Sequence, residues 1–307
     1  MSSGTLSRRP SAASPGDLAP LPSRRSTRAR TGIGFVAPTV IALAAVLGFP
    51  IIIAIANSFL SPDGGVSLNN YGRLATDPNF LNSLRVSMVF VGGTVAMHLV
   101  LGMAVALALN AQIRGRRFWR VLMILPWTLP DVISGLVWRF MYNPTAGIIN
   151  GVLRRSGLTG SYIDWLGDPD LALWSVILAD VWRGYPFVMI ILLAGLQSTS
   201  AELSEAARVD GARWWQEFWY VTLPQLRPIV IVALALDTIW QFRRFGLIYN
   251  MTLGGPGRLT EILSLNIYKT YFEFFEYEYA SAMAVVLAVI MVVVSVPYVR
   301  NAVRRHR

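Results

Sequence analysis

"ELSEAARVDGARWWQEFWYVTLPQLRP", residues 202–228, stands between two long apolar stretches. Charges are costly in membrane-spanning sequence, so this polar interlude needs a reason. Thr199, with Glu202 three positions on, fits a capping box that opens a helix. Residues 202–209 are rich in Ala and Glu, which favour helix. Asp210-Gly211 favours a turn. Beyond it Trp215, Phe218 and Trp219 fall on one face at 3.6 residues per turn, beside Trp214. Such a face suits the membrane interface. Pro224 is expected to open the next helix. The stretch reads as a short helix held at a membrane surface, shaped to dock something.

The rest of the chain supports a membrane setting. It has 307 residues, 54% hydrophobic and 14% charged, against about 25% charged in an ordinary globular domain. A spanning helix needs roughly 20 mostly apolar residues. Runs at 33–60, 86–113, 121–138, 171–196, 223–245 and 279–299 meet or approach that length, which predicts six helices. Residues 1–31, rich in Ser, Pro, Ala and Arg, are expected to be a disordered basic cytoplasmic tail. Residues 32–307 are expected to form one transmembrane domain. The Ala54-Ile55-Ala56 stretch mimics a signal-peptidase site, but the run before it is too long for a cleaved signal.

Charge placement predicts orientation. The net charge is +10, yet the arginines lie at the chain ends and in alternate connections. Arg114, Arg116, Arg117 and Arg120 mark one connection, and Arg208, Arg213 and Arg227 another. The remaining connections carry acids, among them Asp63, Asp77, Asp164, Asp168, Glu261 and Glu273. Arginine-rich sides are cytoplasmic, so both termini are expected inside. Arg243-Arg244 breaks the pattern. Nucleic-acid binding is set aside because the basic residues form no stripe.

Several chemistries lack their residues. Without cysteine there is no disulfide or thiolate metal site. His98 and His306 are the only histidines, and no Gly-Lys pair can form a phosphate-binding Walker A loop. Any ATP used must bind another chain. Pro38, Pro50, Pro126, Pro130 and Pro186 are expected to interrupt helices one, three and four. Ala104 and Ala108 are spaced for close helix approach.

These residues match a family pattern. Glu205-Ala206-Ala207, Asp210-Gly211-Ala212, Phe218 and Leu223-Pro224 together resemble the EAA motif of binding-protein-dependent ABC importer permeases. Leu253-Gly254-Gly255-Pro256, Thr260-Glu261 and Ile267-Tyr268 resemble the outer loop of the sugar branch. "FVAPTVIALAAVLGFPIIIAIANSF" and "WRGYPFVMIILLAGLQS" do so too. Their order is that of the MalF-like rather than the MalG-like partner, and the resemblance is strongest to mycobacterial trehalose-importer permeases. It covers roughly residues 33–299. The large extracytoplasmic insertion of some maltose permeases has no counterpart here.

The resemblance implies an all-α, six-helix type I importer permease (MetI-like) fold with a cytosolic coupling helix, in the bacterial inner membrane. It implies a MalG-like permease partner, two ATPase subunits carrying ATP and Mg, and an extracytoplasmic solute-binding lipoprotein. The chain itself would bind no cofactor and do no bond chemistry. Glu205, Ala206, Ala207, Asp210, Gly211 and Ala212 would meet the ATPase. The substrate would be a sugar, with trehalose favoured over maltodextrin or glycerol phosphate.

Candidate pathway residues follow from the cost of intramembrane charge and from the mix of aromatic and polar groups that sugars require. These are Asp131, Trp182, Asp237, Trp240 and Gln241, with Arg243 a further candidate on the same cost. Asp237 and Gln241 are four apart on one helix face. Asp180 and Arg183 either face the pathway or form a local ion pair. Trp182 and Trp240 serve a site or ordinary packing, and His98 reads as a packed or cavity histidine. A secondary transporter using Asp131 or Asp237 for protons is the rival reading, and it leaves residues 202–228 unexplained.

Overall fold

The computed structural model describes residues 36–61, 64–111 and 114–303. The tail expected over residues 1–31 lies outside them. The described residues are mainly helical, with one isolated antiparallel bridge between Leu60 and Val66. Two compact units divide the chain, the first ending at Ile52 and the second beginning at Ile53. Helix α1, Val36–Ser58, supplies the described part of the first unit and runs into the second. It widens into a π turn at Ala44–Gly48, just before Pro50. A π turn relieves the crowding that a proline ring imposes on the preceding carbonyls.

The second unit begins its regular structure with α2, Asn69–Thr76. Helix α3, Pro78–Asn110, starts eight residues before the apolar run because Asp77 caps it, its carboxylate accepting the Asn79 N–H at 2.9 Å. Then come α4, Arg116–Thr128, and α5, Asp131–Met141. The interruption expected of the third span occurs at Pro130: its two halves are bent by 94° at Leu129-Pro130. Pro130 denies a backbone donor there and bars its predecessor from helical geometry. Helix α6, Ile148–Arg155, is short. Helix α7, Ala172–Ser198, is continuous through Pro186, so the expected interruption of the fourth span does not occur.

Helix α8 covers Ala201–Val209. Helix α9, Trp214–Phe242, follows as one helical segment that widens to a π turn at Phe218–Thr222. The aromatic stretch is thus the opening of the spanning helix, and Pro224 does not start it. Two short helices missing from the hydropathy pattern come next, α10 at Gly246–Thr252 and α11 at Leu263–Phe272, and α12 runs Tyr277–Val303. By length and composition α1, α3, α7, α9 and α12 can each cross a membrane. The bent α4–α5 pair counts as a sixth span if its halves are taken together.

Helices α3 and α7 form the main packed pair. Their close approach is at Gly102, where an added Cβ would lie 3.1 Å from the Met189 backbone nitrogen, and at fully buried Ala106. The expected Ala104 and Ala108 pair is exposed instead. The four-residue spacing was right and the register was off by two. Phe90, Ile177 and Met251 centre one apolar cluster, and Met189, Leu192 and Leu226 another.

The Gly254–Glu261 loop is fastened internally. Glu261 is buried and takes the Lys269 ammonium at 2.6 Å, and Lys269 also donates to the Leu253 carbonyl at 2.8 Å. The Thr252 and Thr260 hydroxyls meet at 2.6 Å. Gly254 has φ 88°, and a Cβ there would press within 3.1 Å of Glu261. The chain's lone lysine is a structural clamp.

Candidate functional site: a charged cavity and a surface helix

The break between α4 and α5 opens a cavity of about 290 Å³ against α7 and α9. Trp127 from α4, Asp131 from α5, Arg183 and Phe187 from α7, and Trp240 and Gln241 from α9 line it, with Gly184, Asp237 and Arg244. Phe187 and Trp240 pack at 4.4 Å between centroids with their planes tilted by 30°, and Trp127 stacks on Phe187 at 6.1 Å. Arg183 Nε donates to the Leu129 carbonyl at 3.2 Å, satisfying backbone at the break.

The charges close into one network. Arg183 Nη2 lies 2.5 Å from Asp131 Oδ1, and Arg244 Nη1 lies 3.2 Å from the same oxygen. Arg244 Nε is also 2.8 Å from Asp180 Oδ1 and donates to Gln241 Oε1 at 3.3 Å. Gln241 Nε2 donates to Asp237 Oδ1 at 3.3 Å. His98 Nδ1 is 2.9 Å from Asp237 Oδ2, and His98 Nε2 is 3.2 Å from the Asp180 carbonyl oxygen. Asp180 is fully buried and neither carboxylate oxygen has a hydrogen bond. The facing charge of Arg244 is what compensates it. Gly184 makes room for His98, since a Cβ there would overlap the imidazole.

The cavity thus gathers Asp131, Asp237, Trp240 and Gln241 of the expected pathway residues. Trp182 is not among its lining and packs edge-on against Trp138 at 5.7 Å. Asp180 and Arg183 do not pair with each other, because the helix turns them toward different partners. His98 is packed, and in addition bridges α3 to α7 and α9. Arg244, expected only as a topological exception, is the hub. Its position beside a charge-sensitive span end was the available signal, and its partners, remote in sequence, were not legible.

The surface helix is built differently. Helix α8 lacks the expected capping box: Ser200 is the N-cap without a side-chain bond, and the Thr199 hydroxyl turns back to the Leu196 carbonyl at 2.7 Å. Thr199 already closes α7 and is unavailable to α8. At the other end a Schellman turn forms. Ala212 N–H reaches the Ala207 carbonyl at 2.9 Å and Gly211 N–H reaches that of Arg208 at 3.1 Å, with Gly211 at φ 82°. Arg208 forks onto Glu217 with two 2.9 Å bonds, tying α8 to α9, and this carboxylate raises the Arg208 guanidinium above its usual range. Phe218 packs against the second apolar cluster, whereas Trp214, Trp215 and Trp219 remain exposed. Glu205, Ala206, Asp210 and Gly211 are exposed, and Ala207 and Ala212 half-buried. A polar groove of about 580 Å³ runs between α8 and the ends of α3 and α7, with Glu205, Arg208 and Asn110 on its walls.

A span broken around charges, and a short helix set between two spans, are features of a membrane transport subunit. Residues 98–305 match the family described as binding-protein-dependent transport system inner membrane component, and the chain belongs to that family. It is similar to the trehalose/maltose transport system permease protein MalF of Thermococcus litoralis, 37% identical over 243 residues that cover 79% of this chain and 81% of the relative. It is also similar to the sn-glycerol-3-phosphate transport system permease protein UgpA of Agrobacterium fabrum, 33% identical over 74% of this chain and 77% of the relative. A crystal structure of a bacterial ABC transporter involved in alginate import shares its fold, with TM-score 0.81 and 22% identity over 92% of this chain and 98% of that one. The chain therefore has an ABC importer permease fold and is a transport subunit.

Proposed function

We propose that this chain is the MalF-like permease subunit of an ATP-driven importer for an uncharged disaccharide, trehalose being favoured. The observation that carries the substrate reading is the cavity, which Phe187 and Trp240 line together with Gln241 and Asp131. Aromatic rings suit the apolar face of a sugar, and the polar groups suit its hydroxyl rim. The 37% identity with a trehalose/maltose permease supports the same reading. Glycerol phosphate is the alternative, from the UgpA likeness.

In this reading a MalG-like partner completes the pore. A solute-binding lipoprotein delivers sugar outside, and two ATPase subunits with ATP and Mg dock below. Glu205, Ala206, Ala207, Asp210, Gly211 and Ala212 meet the ATPase, and its closure swings the pore outward-open. Both termini and α8 face the cytoplasm, as the arginine distribution requires. Single cysteines report orientation cleanly because the chain has none. A membrane-impermeant maleimide on intact cells is expected to label Gly160→Cys and spare Ala206→Cys. The reverse pattern would invert the topology. For substrate, uptake of radiolabelled trehalose, maltose and glycerol 3-phosphate is compared in cells with and without this gene. Gene-dependent trehalose uptake is expected, and gene-dependent uptake of glycerol 3-phosphate alone would replace the disaccharide reading.

A further inference from the structure

Two guanidinium groups in a ligand cavity ordinarily predict an anionic ligand, because the arginine fork matches phosphate and carboxylate. Here the geometry points to the opposite. We propose that Asp131 is a specificity-determining residue that occupies both arginines, so that the cavity admits neutral polyhydroxyl ligands and rejects phosphorylated or carboxylated ones. This deepens, and rests on, the sugar reading above.

Arg183 comes from α7 and Arg244 from just beyond α9, and both converge on the single oxygen Oδ1 of Asp131, at 2.5 and 3.2 Å. The carboxylate covers them: the Asp131 side chain is 31% exposed, whereas those of Arg183 and Arg244 are 13% and 10% exposed. An entering phosphate would meet Asp131 before either cation. Asp237 adds a second carboxylate to the lining, so the wall carries two acids and two arginines. Behind it Asp180 and His98 are buried, with Asp180 holding Arg244 from the far side. Neither arginine is left without an acid to receive an anion. Asp131 Oδ2, by contrast, has only a 3.5 Å contact with Arg244. A carboxylate oxygen accepts more than one bond, so Oδ2 can take a sugar hydroxyl while Phe187 and Trp240 receive the ring.

The test uses the whole complex in nanodiscs without the solute-binding protein, whose own selectivity would otherwise intervene. Equilibrium dialysis measures radiolabelled trehalose and glycerol 3-phosphate. The wild type is expected to hold trehalose at least tenfold more tightly. Asp131→Asn frees the arginines and is expected to raise glycerol 3-phosphate binding at least tenfold, in a salt-sensitive manner. Adding Arg183→Gln to it should abolish that gain. Arg183→Gln alone leaves an acid in excess and should favour cationic glucosamine over glycerol 3-phosphate. This second arm decides the matter even if Asp131→Asn does not assemble. Trehalose binding with an unchanged ratio in the assembled variants overturns the inference alone. A wild type that holds glycerol 3-phosphate as well as trehalose also overturns it. A wild type that holds neither ligand overturns the sugar reading and this inference together.

Discussion

The cavity and the surface helix handle charge in opposite ways. In the cavity, Asp131, Asp180 and Asp237 are matched against Arg183, Arg244 and His98, which come from four helices and the segment after α9. In and around α8, Glu202, Glu205 and Asp210 stay exposed, and Arg208 is tied to Glu217. A buried charge that loses its partner carries the full cost of desolvation, whereas an exposed one rests in water. The fully buried part of the cavity, Asp180 above all, should therefore fail in folding when a partner is removed. The surface helix should fail only in its dealings with another protein.

The largest effect is expected where a buried acid loses its nearest compensating charge. Arg244→Leu strands Asp180, and removing one member of a buried pair costs about 3–5 kcal/mol. Membrane levels and the thermal midpoint of the purified complex should both drop. Normal levels would mean that Asp180 finds another partner. Gly184→Leu comes next. Its side chain has to enter the volume of the His98 ring, and overpacking of this kind costs about 1–3 kcal/mol. Thermal unfolding measures it, and a wild-type midpoint would show that the α3–α7 seam gives way freely.

Gln241→Ala and Trp240→Ala probe function inside the same region. Each is expected to impair sugar uptake while the protein reaches the membrane at ordinary levels, since a lost hydrogen bond to a hydroxyl is worth on the order of 1–3 kcal/mol. Gln241 also bridges Asp237 and Arg244, and Trp240 packs on Phe187, so both variants should show a small loss of stability. Unchanged uptake in both would remove α9 from the pathway. The smallest effect on stability is expected at Glu205→Lys. Exposed changes of this kind usually stay within about 0.5 kcal/mol, and its thermal midpoint should match wild type.

The same contrast explains what the sequence could say. Residues 202–228 are contiguous, and a helix and a glycine turn are local events, so spacing revealed them, although it placed the opening of the next span at Pro224 instead of Trp214. Even there Thr199 misled, because one hydroxyl could serve either α7 or α8 and the end of α7 took it. The cavity joins residues 98, 131, 180, 183, 237 and 244, and no periodicity links them. Intramembrane cost singled out Asp131 and Asp237, and it left Asp180 and Arg183 open between the pathway and a local ion pair. Arg244 looked like an error in a topological rule, when it is the cation that the buried acids require. Hydropathy found the spans and missed α10 and α11, which are too short to register. The prolines marked the third span for interruption, but composition does not record the size of the bend, 94° at Pro130.

The central claim is that α8 transmits the state of the pore to a partner while the cavity receives the substrate. It is tested by reconstituting the complex with Glu205→Lys and measuring how far loaded solute-binding protein stimulates ATP hydrolysis. In the proposed assembly the exposed carboxylate would accept a charge-assisted hydrogen bond from the ATPase, and a lysine would set like charges together. Gly211→Pro serves as a companion, because proline cannot adopt the φ of 82° that turns the chain back to α9. The account predicts intact assembly and intact docking of the binding protein, with stimulation lost in both variants. Stimulation at the wild-type level in Glu205→Lys would show that this helix does not carry the signal.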